Sequence, residues 1–409
     1  MPTDRAWSWL VVVVCAATAC AAPDTVAFGG DGGVGGDAAT ISADASLWES
    51  YCDGSGPPVL VGDGGDSSDI CTGNLAEATF QYAICSCQDL VLSAGLITDS
   101  FDSSVGPYTP GGSMGSVAGN GAVRSNATMD VRGDLAAAGA GGVSAAVSAT
   151  VLGNLASAGD LGDATATVSV GGDSSVAGNI NLTDLSVTGT LTVPLASTIS
   201  VTGTGTFGAL VRAPVDVPPP CACEPDELLD VAGFVSAHQN QNYNDTLPIT
   251  AAHLDGFVGP TELSLPCGLY YLSNIAGTGQ LTIRATGRVA LFVDGDIDLD
   301  DRFVITIAPG AELDLFITGS VTSAAALALG DAARPAALRI YLGAASALDL
   351  SAGSTIAGNL YAPQALVSLS GATEIFGALF VQRVSSSSGL TVHYDESVRA
   401  SGTDCPIVN

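Results

Sequence analysis

The chain has 409 residues, a net charge of −30 and only 6% aromatic residues, and no basic residue lies between Arg5 and Arg124. That balance leaves no basic footprint for phosphate and argues against nucleic acid as a partner. The hydrophobic content is 47%, much of it Ala, so a core must be built from small and β-branched residues in thin layers.

In chain order, Arg5 precedes an apolar run, Ala6 to Ala17, that is followed by small residues. The run is too short to span a bilayer and has the pattern of an export signal. Ala17-Thr18-Ala19-Cys20 resembles a bacterial lipobox, with Ala17 where Leu is usual. Residues 1–19 are therefore read as a signal peptide and Cys20 as a lipid acceptor that tethers the protein to a membrane. Ordinary cleavage after Ala19 or Ala21 is the rival. The expected location is the outer membrane or cell surface, with a secreted or periplasmic protein as the alternative. Residues 20–46 read as a Gly/Asp-rich disordered linker, and 47–89 as a Cys-containing cap that ends in "YAICSCQDL".

Residues 90–216 carry an internal repeat. A Gly followed two residues later by an apolar residue recurs at Gly115, Gly133, Gly153, Gly189 and Gly208, and at Gly172 with Ser in place of the apolar residue. The spacings are 18, 20, 19, 17 and 19 residues, with short alternating segments such as "ATATVSVGG" between them. A near-constant period with period-2 alternation inside each unit predicts a β-solenoid whose inward residues stack from coil to coil.

The repeat halts at "VPPPCACEP", residues 217–225. Residues 217–266 read as a Pro/Cys strut and a helical crossover, with Leu228, Val231 and Val235 on one face and Asp226 and Glu227 at the start. A second solenoid run is expected over 267–396, with glycines at 295, 319, 343, 358 and 377 and more aromatic strands. Residues 397–409 form a tail carrying Cys405.

"LPCGLYYLSNIAG", "ALFVDGDI", "AELDLFITGSV", "GNLYAPQALVSLSGATEIFGALFVQ" and "LTVHYDESV" resemble a C-terminal module of unknown function in secreted bacterial proteins. Some of these are myxobacterial-type lipoproteins and others occur near pilus-assembly components. The pattern extends over 85–405, including the CxC pair after the prolines. More loosely, the rung period resembles bactofilins, which are polymer-forming β-helical proteins. The resemblance implies an all-β, right-handed parallel β-solenoid in two runs, and it implies no reaction. The export signal and cysteines depart from bactofilins, so cytoplasmic polymerisation does not carry over.

Eight cysteines remain beyond the signal and its acceptor: Cys52, Cys71, Cys85, Cys87, Cys221, Cys223, Cys267 and Cys405. An even number in an exported chain reads as up to four disulfides. Zinc is the lesser reading because structural sites prefer C-x₂₋₄-C, and a redox pair lacks its βαβ context. One arrangement sends one of Cys221 and Cys223 to Cys267 and the other to Cys85 or Cys87, tying the cap to both runs.

Asp294, Asp296, Asp298 and Asp300 alternate in "VDGDIDLDDR". On one strand they would share a face, as a solvated ladder or as a weak calcium site. For carbohydrate hydrolysis, Asp294, Asp296 and Asp314 are the carboxylates to nominate. His238, His253 and His393 are scattered, and His393 in "TVHYD" is read as a structural hydrogen-bonder at a coil end. The expected function is a non-catalytic cell-envelope or surface protein of structural or adhesive type, without a cofactor. Its partners would be the membrane, envelope polysaccharide or other surface proteins. A carbohydrate-active enzyme and a calcium-dependent binding module are the alternatives.

Overall fold

Alternating apolar residues fold each repeat into three short strands separated by two corners. Leu135–Ala137, Val143–Ala145 and Ser148–Val151 make one such coil, and in each strand every second residue is buried. Each strand pairs in parallel with its counterpart one repeat later: Leu135 with Leu155, and Ser148 with Thr167. Stacking satisfies the backbone along the axis while Leu, Val and Ala fill the interior. In this computed structural model Cys52 and residues 72–343, 347–350 and 353–404 are described.

The two runs are one stack. The closing strands of the second run, Leu379–Ser386 and Leu390–Asp395, pair in parallel with the opening strands of the first, Ile84–Ser86, Leu90–Leu92 and Leu96–Phe101. On their other edges these opening strands pair with Val117–Gly119, Val123–Ser125 and Thr128–Val131. The described chain thus enters the solenoid in its middle and winds outward to Gly205–Arg212. It then returns to the opposite end and winds back inward from Asp255–Val258. Among the described residues the result is a parallel β-solenoid of about 13 rungs, whose parallel pairing is consistent with a right-handed coil. Ile84–Ser86 lies on the seventh rung. The first coil begins at Ile84, inside the stretch that reads as a cap, and the second run opens at Asp255, inside the stretch that reads as a crossover.

The corners explain the repeated glycine motif. Asp134 Oδ1 accepts the backbone N–H of Asn154 at 2.7 Å, Asn154 Oδ1 accepts that of Asp173 at 2.9 Å, and Asp173 Oδ1 accepts that of Thr190 at 2.7 Å. The residue after each glycine is therefore a rung of a side-chain ladder that satisfies the next corner's donor. The glycine makes room for it: a Cβ at Gly153 would sit 2.3 Å from Asp134 Oδ1. Much of the acidity in the first run is used in this way, as hydrogen-bond acceptors at the corners. Ser174, which replaces Leu in the inward column between Leu155 and Leu191, is buried and its hydroxyl has no hydrogen-bond partner.

Candidate functional site: the seam and the segment that crosses it

On one face the outward residues of rungs one to six are Tyr271, Phe292, Phe316, Tyr341, Tyr361 and Phe380. The same column continues as Cys85 on rung seven and then as Ala118, Ala136 and Ala156. The size of these side chains follows the thickness of what covers them. Over the aromatic rungs lies the helix Val231–His238, with Phe234 stacked on Phe316 at 5.4 Å and His238 on Phe292 at 3.9 Å. Phe292, Phe316 and Tyr341 stack on one another beneath it. The helix starts at Val231 because the Asp230 side chain accepts the Gly233 N–H at 2.9 Å. Asp226, Glu227 and Leu228 therefore precede it instead of forming its first turn. Burial holds the His238 imidazole below its ordinary range, so it packs as a neutral ring.

The return segment descends the same face rung by rung. Its residue Cys221 is bonded to Cys85 on rung seven, and Leu229 donates its N–H to the Tyr361 hydroxyl on rung five at 2.9 Å. Burial pushes that phenol up to about 12. At rung one the Asn244 side chain accepts the Tyr271 N–H and donates to the Tyr271 carbonyl, capping the exposed strand edge.

Two staples fix this segment to the middle of the stack. Cys85 pairs with Cys221 and Cys87 with Cys223, at Cα separations of 5.9 and 5.6 Å. Both segments space their cysteines two apart, so the bonds form side by side in one register. Asn120 adds a third tie, accepting the Cys221 N–H at 3.0 Å and donating to its carbonyl at 2.8 Å. Cys267 pairs with Cys52. This corrects the arrangement that joined Cys267 to the CAC pair: both of those cysteines are taken by the CSC pair at the seam. Cys20, Cys71 and Cys405 lie outside the described residues.

A second lock lies on another face of the seam. His393, on the last strand of the second run, places Nδ1 2.6 Å from Asp99 Oδ1 on the first rung of the other run. Its Nε2 lies 3.1 Å from Glu374 Oε1 on the preceding rung. With carboxylates on both nitrogens, the ring donates twice as an imidazolium. Burial pulls its pKa down, but the Asp99 hydrogen bond and charge outweigh this and raise it. Asp99 is shifted the other way: burial opposes ionisation, and the bonds from His393 and Tyr108 lower its pKa. Tyr108 donates to Asp99 Oδ2 at 2.7 Å and lies 4.1 Å from the imidazole, with Phe376 at 4.8 Å. Ser103 bonds Asp395 and Ser100 bonds Glu396 alongside. His393 thus sits in the middle of the stack and not at an end.

The acidic stretch at 294–300 is divided by a corner. Asp294 and Asp296 follow the strand Arg288–Val293, whereas Asp298 lies within Ile297–Leu299 and Asp300 after it. Asp294 accepts from the Tyr271 hydroxyl, Asp296 from the Ser320 N–H and Asp298 from the Thr322 hydroxyl, while Asp300 is exposed. Among the described residues no group of three or more His, Cys, Asp or Glu side chains is placed to hold a metal ion. Asp314 is fully buried, and both its oxygens accept from Arg339, at 2.5 and 2.9 Å. Glu312 joins at 2.6 Å and also meets Arg288 at 3.0 Å. Burial works against the Arg339 charge, yet Asp314 and Glu312 raise its pKa further. Glu312 is lowered by Arg339 against the same burial. His253 is exposed in a turn.

Asp99, Glu374, Tyr108 and Arg339 are not marked by any local motif; the Asp99–His393 pair spans 294 residues, and only the stacking register brings it together. The class of protein defined by these features is a disulfide-stapled parallel β-solenoid. Residues 230–401 match a family described as a domain of unknown function (DUF7305). The match takes in the return helix and the second run, so the first run lies outside it. No curated protein and no solved structure matches the chain.

Proposed function

We propose that this is an exported, non-catalytic protein of the cell envelope whose role is mechanical: a rigid spacer, held to a membrane through lipidated Cys20 and the Gly/Asp-rich linker. The observation that carries the reading is the seam. Two runs of coils are joined into one rod of about 60 Å at ~4.8 Å per rung, and the joint is locked by the paired disulfides on one face and by His393 on another. At the seam and in the Arg339 cluster, charged groups are engaged with one another, which suits rigidity over turnover. The disulfides fit an oxidising, non-cytoplasmic compartment. Among the described residues no helix is long and apolar enough to cross a membrane; the anchor in this reading is the acyl chain at Cys20.

Deleting the gene and restoring it as the wild type or as Cys20→Ser tests the reading. The expected result is altered envelope spacing or adhesion that wild type repairs and Cys20→Ser does not. Cleavage of an envelope polysaccharide by the purified protein, or full repair by a form shortened by several rungs, would contradict it.

A further inference from the structure

The segment that leaves the last rung is pinned at both ends. At its start Arg212 donates to the carbonyls of Ser197 and Pro194 at 2.7 and 3.0 Å, and the Ala213 N–H bonds the Val193 carbonyl. At its far end Cys221 is held by Cys85 and by the Asn120 side chain. Between them Ala213, Val215 and Val217 are half-buried and their neighbours exposed, the pattern of an extended strap, and three prolines follow.

Its length matches the stack beneath it. From Cys85 the column steps through Ala118, Ala136, Ala156, Ser175 and Thr192 to Val211, six rungs away. At ~4.8 Å per rung that rise is about 29 Å. The nine residue steps from Arg212 to Cys221 span about 28 Å as polyproline II and about 30–32 Å at full extension. Because Cys221 bonds both Cys85 on rung seven and the Asn120 side chain on rung eight, the strap spans about 24–29 Å and has at most about one rung of slack. We infer that residues 213–220 are a ruler that sets the number of rungs between the seam and the open end of the rod. The paired staples close only when about seven rungs or fewer separate Cys85 from the last coil. The inference stands on chain length alone and does not depend on the spacer reading.

The test is a variant carrying two extra rungs, made by duplicating residues 135–173, which run from one stacked position to the equivalent one two rungs on. The span then becomes about 34–38 Å, beyond the reach of the strap. The expected result is loss of the Cys85–Cys221 and Cys87–Cys223 linkages, or unwinding of the last coils to preserve them, read by non-reducing peptide mapping and hydrogen exchange over 184–212. A second variant adds Val-Pro-Pro-Pro after Val217 to the duplicated chain, giving back about 12 Å, and should recover both linkages and the protection. A third carries the longer strap on the native stack and should form both bonds, since slack does not prevent closure. Native linkages and protection in the duplicated chain with the original strap would overturn the inference. Failure of the longer strap to restore them would overturn it too, because reach would then not be what limits closure.

Discussion

Cys221 is bonded to Cys85, 136 residues earlier in the chain, and the bond lands on the middle rung of the rod, where the two runs of coils meet. Cys87–Cys223 closes the same loop two residues away on each side. The two bonds therefore share one large entropy term. By the loop-closure relation, the first bond to form restrains the unfolded chain by about 5 kcal/mol and the second, closing only a small inner ring, by about 2 kcal/mol. Removing either pair with paired Ser substitutions should then cost about 2 kcal/mol, whereas removing both should cost about 7 kcal/mol. Urea midpoints of the three variants check this, and simple additivity would count against the side-by-side register.

The His393 lock makes stability depend on pH from two sides. The folded pKa of His393 is raised, so its contribution is full below its unfolded value, about 6.5, and is lost as pH rises through the higher folded value. Asp99 is lowered, so its contribution is present above its unfolded value, about 3.9, and is lost as pH falls through the folded one. NMR titration should place His393 above pH 6.5, and Asp99→Asn should bring it down. Thermal scans should show wild type losing stability on the alkaline side, and His393→Gln should flatten that limb.

The corner ladder predicts which glycines are required. Gly153→Ala puts a methyl group 2.3 Å from Asp134 Oδ1 and should cost about 1–3 kcal/mol. Gly106→Ala meets nothing within 4 Å and should be neutral. Ser174→Val should stabilise by about 1 kcal/mol, since it replaces a buried hydroxyl that lacks a partner with a methyl group in an apolar column. Thermal shifts of the three proteins decide the matter.

In the buried ion cluster, Arg339→Ala leaves Asp314 uncompensated in a dry site and should cost about 3–5 kcal/mol. Replacing the pair together, as Arg339→Met with Asp314→Leu, should cost much less, because no lone charge remains. Denaturant unfolding of the single and double variants separates pair removal from charge abandonment.

The coil itself was legible in the residues because a period of about 19 in Gly115–Gly208 and the strict alternation of "ATATVSV" are local properties of a stacked coil. The aromatic character of the second run was legible too, but not its reason: Phe292 and Phe316 are large because a helix from residues 231–238 lies on them. The expectation of export, together with the paired cysteines, pointed to staples, yet the partner of Cys267 could not be deduced, since every pairing of eight cysteines is compatible with composition. The continuity of the two runs was hidden most deeply. Strand pairing between Leu96–Phe101 and Leu390–Asp395 leaves no trace in either stretch alone. The Asp99–His393 lock depends on that register, so it was hidden with it.

Both runs form one continuous stack, and a single distance along it tests this. Glu262 and Thr206 are exposed and lie in one column, on the first and thirteenth rungs. Spin labels introduced there through a non-canonical residue, leaving the native cystines intact, should give one narrow dipolar distance near 58 Å, twelve rungs at ~4.8 Å. A broad distribution, or a maximum well short of that distance, would contradict the continuous rod.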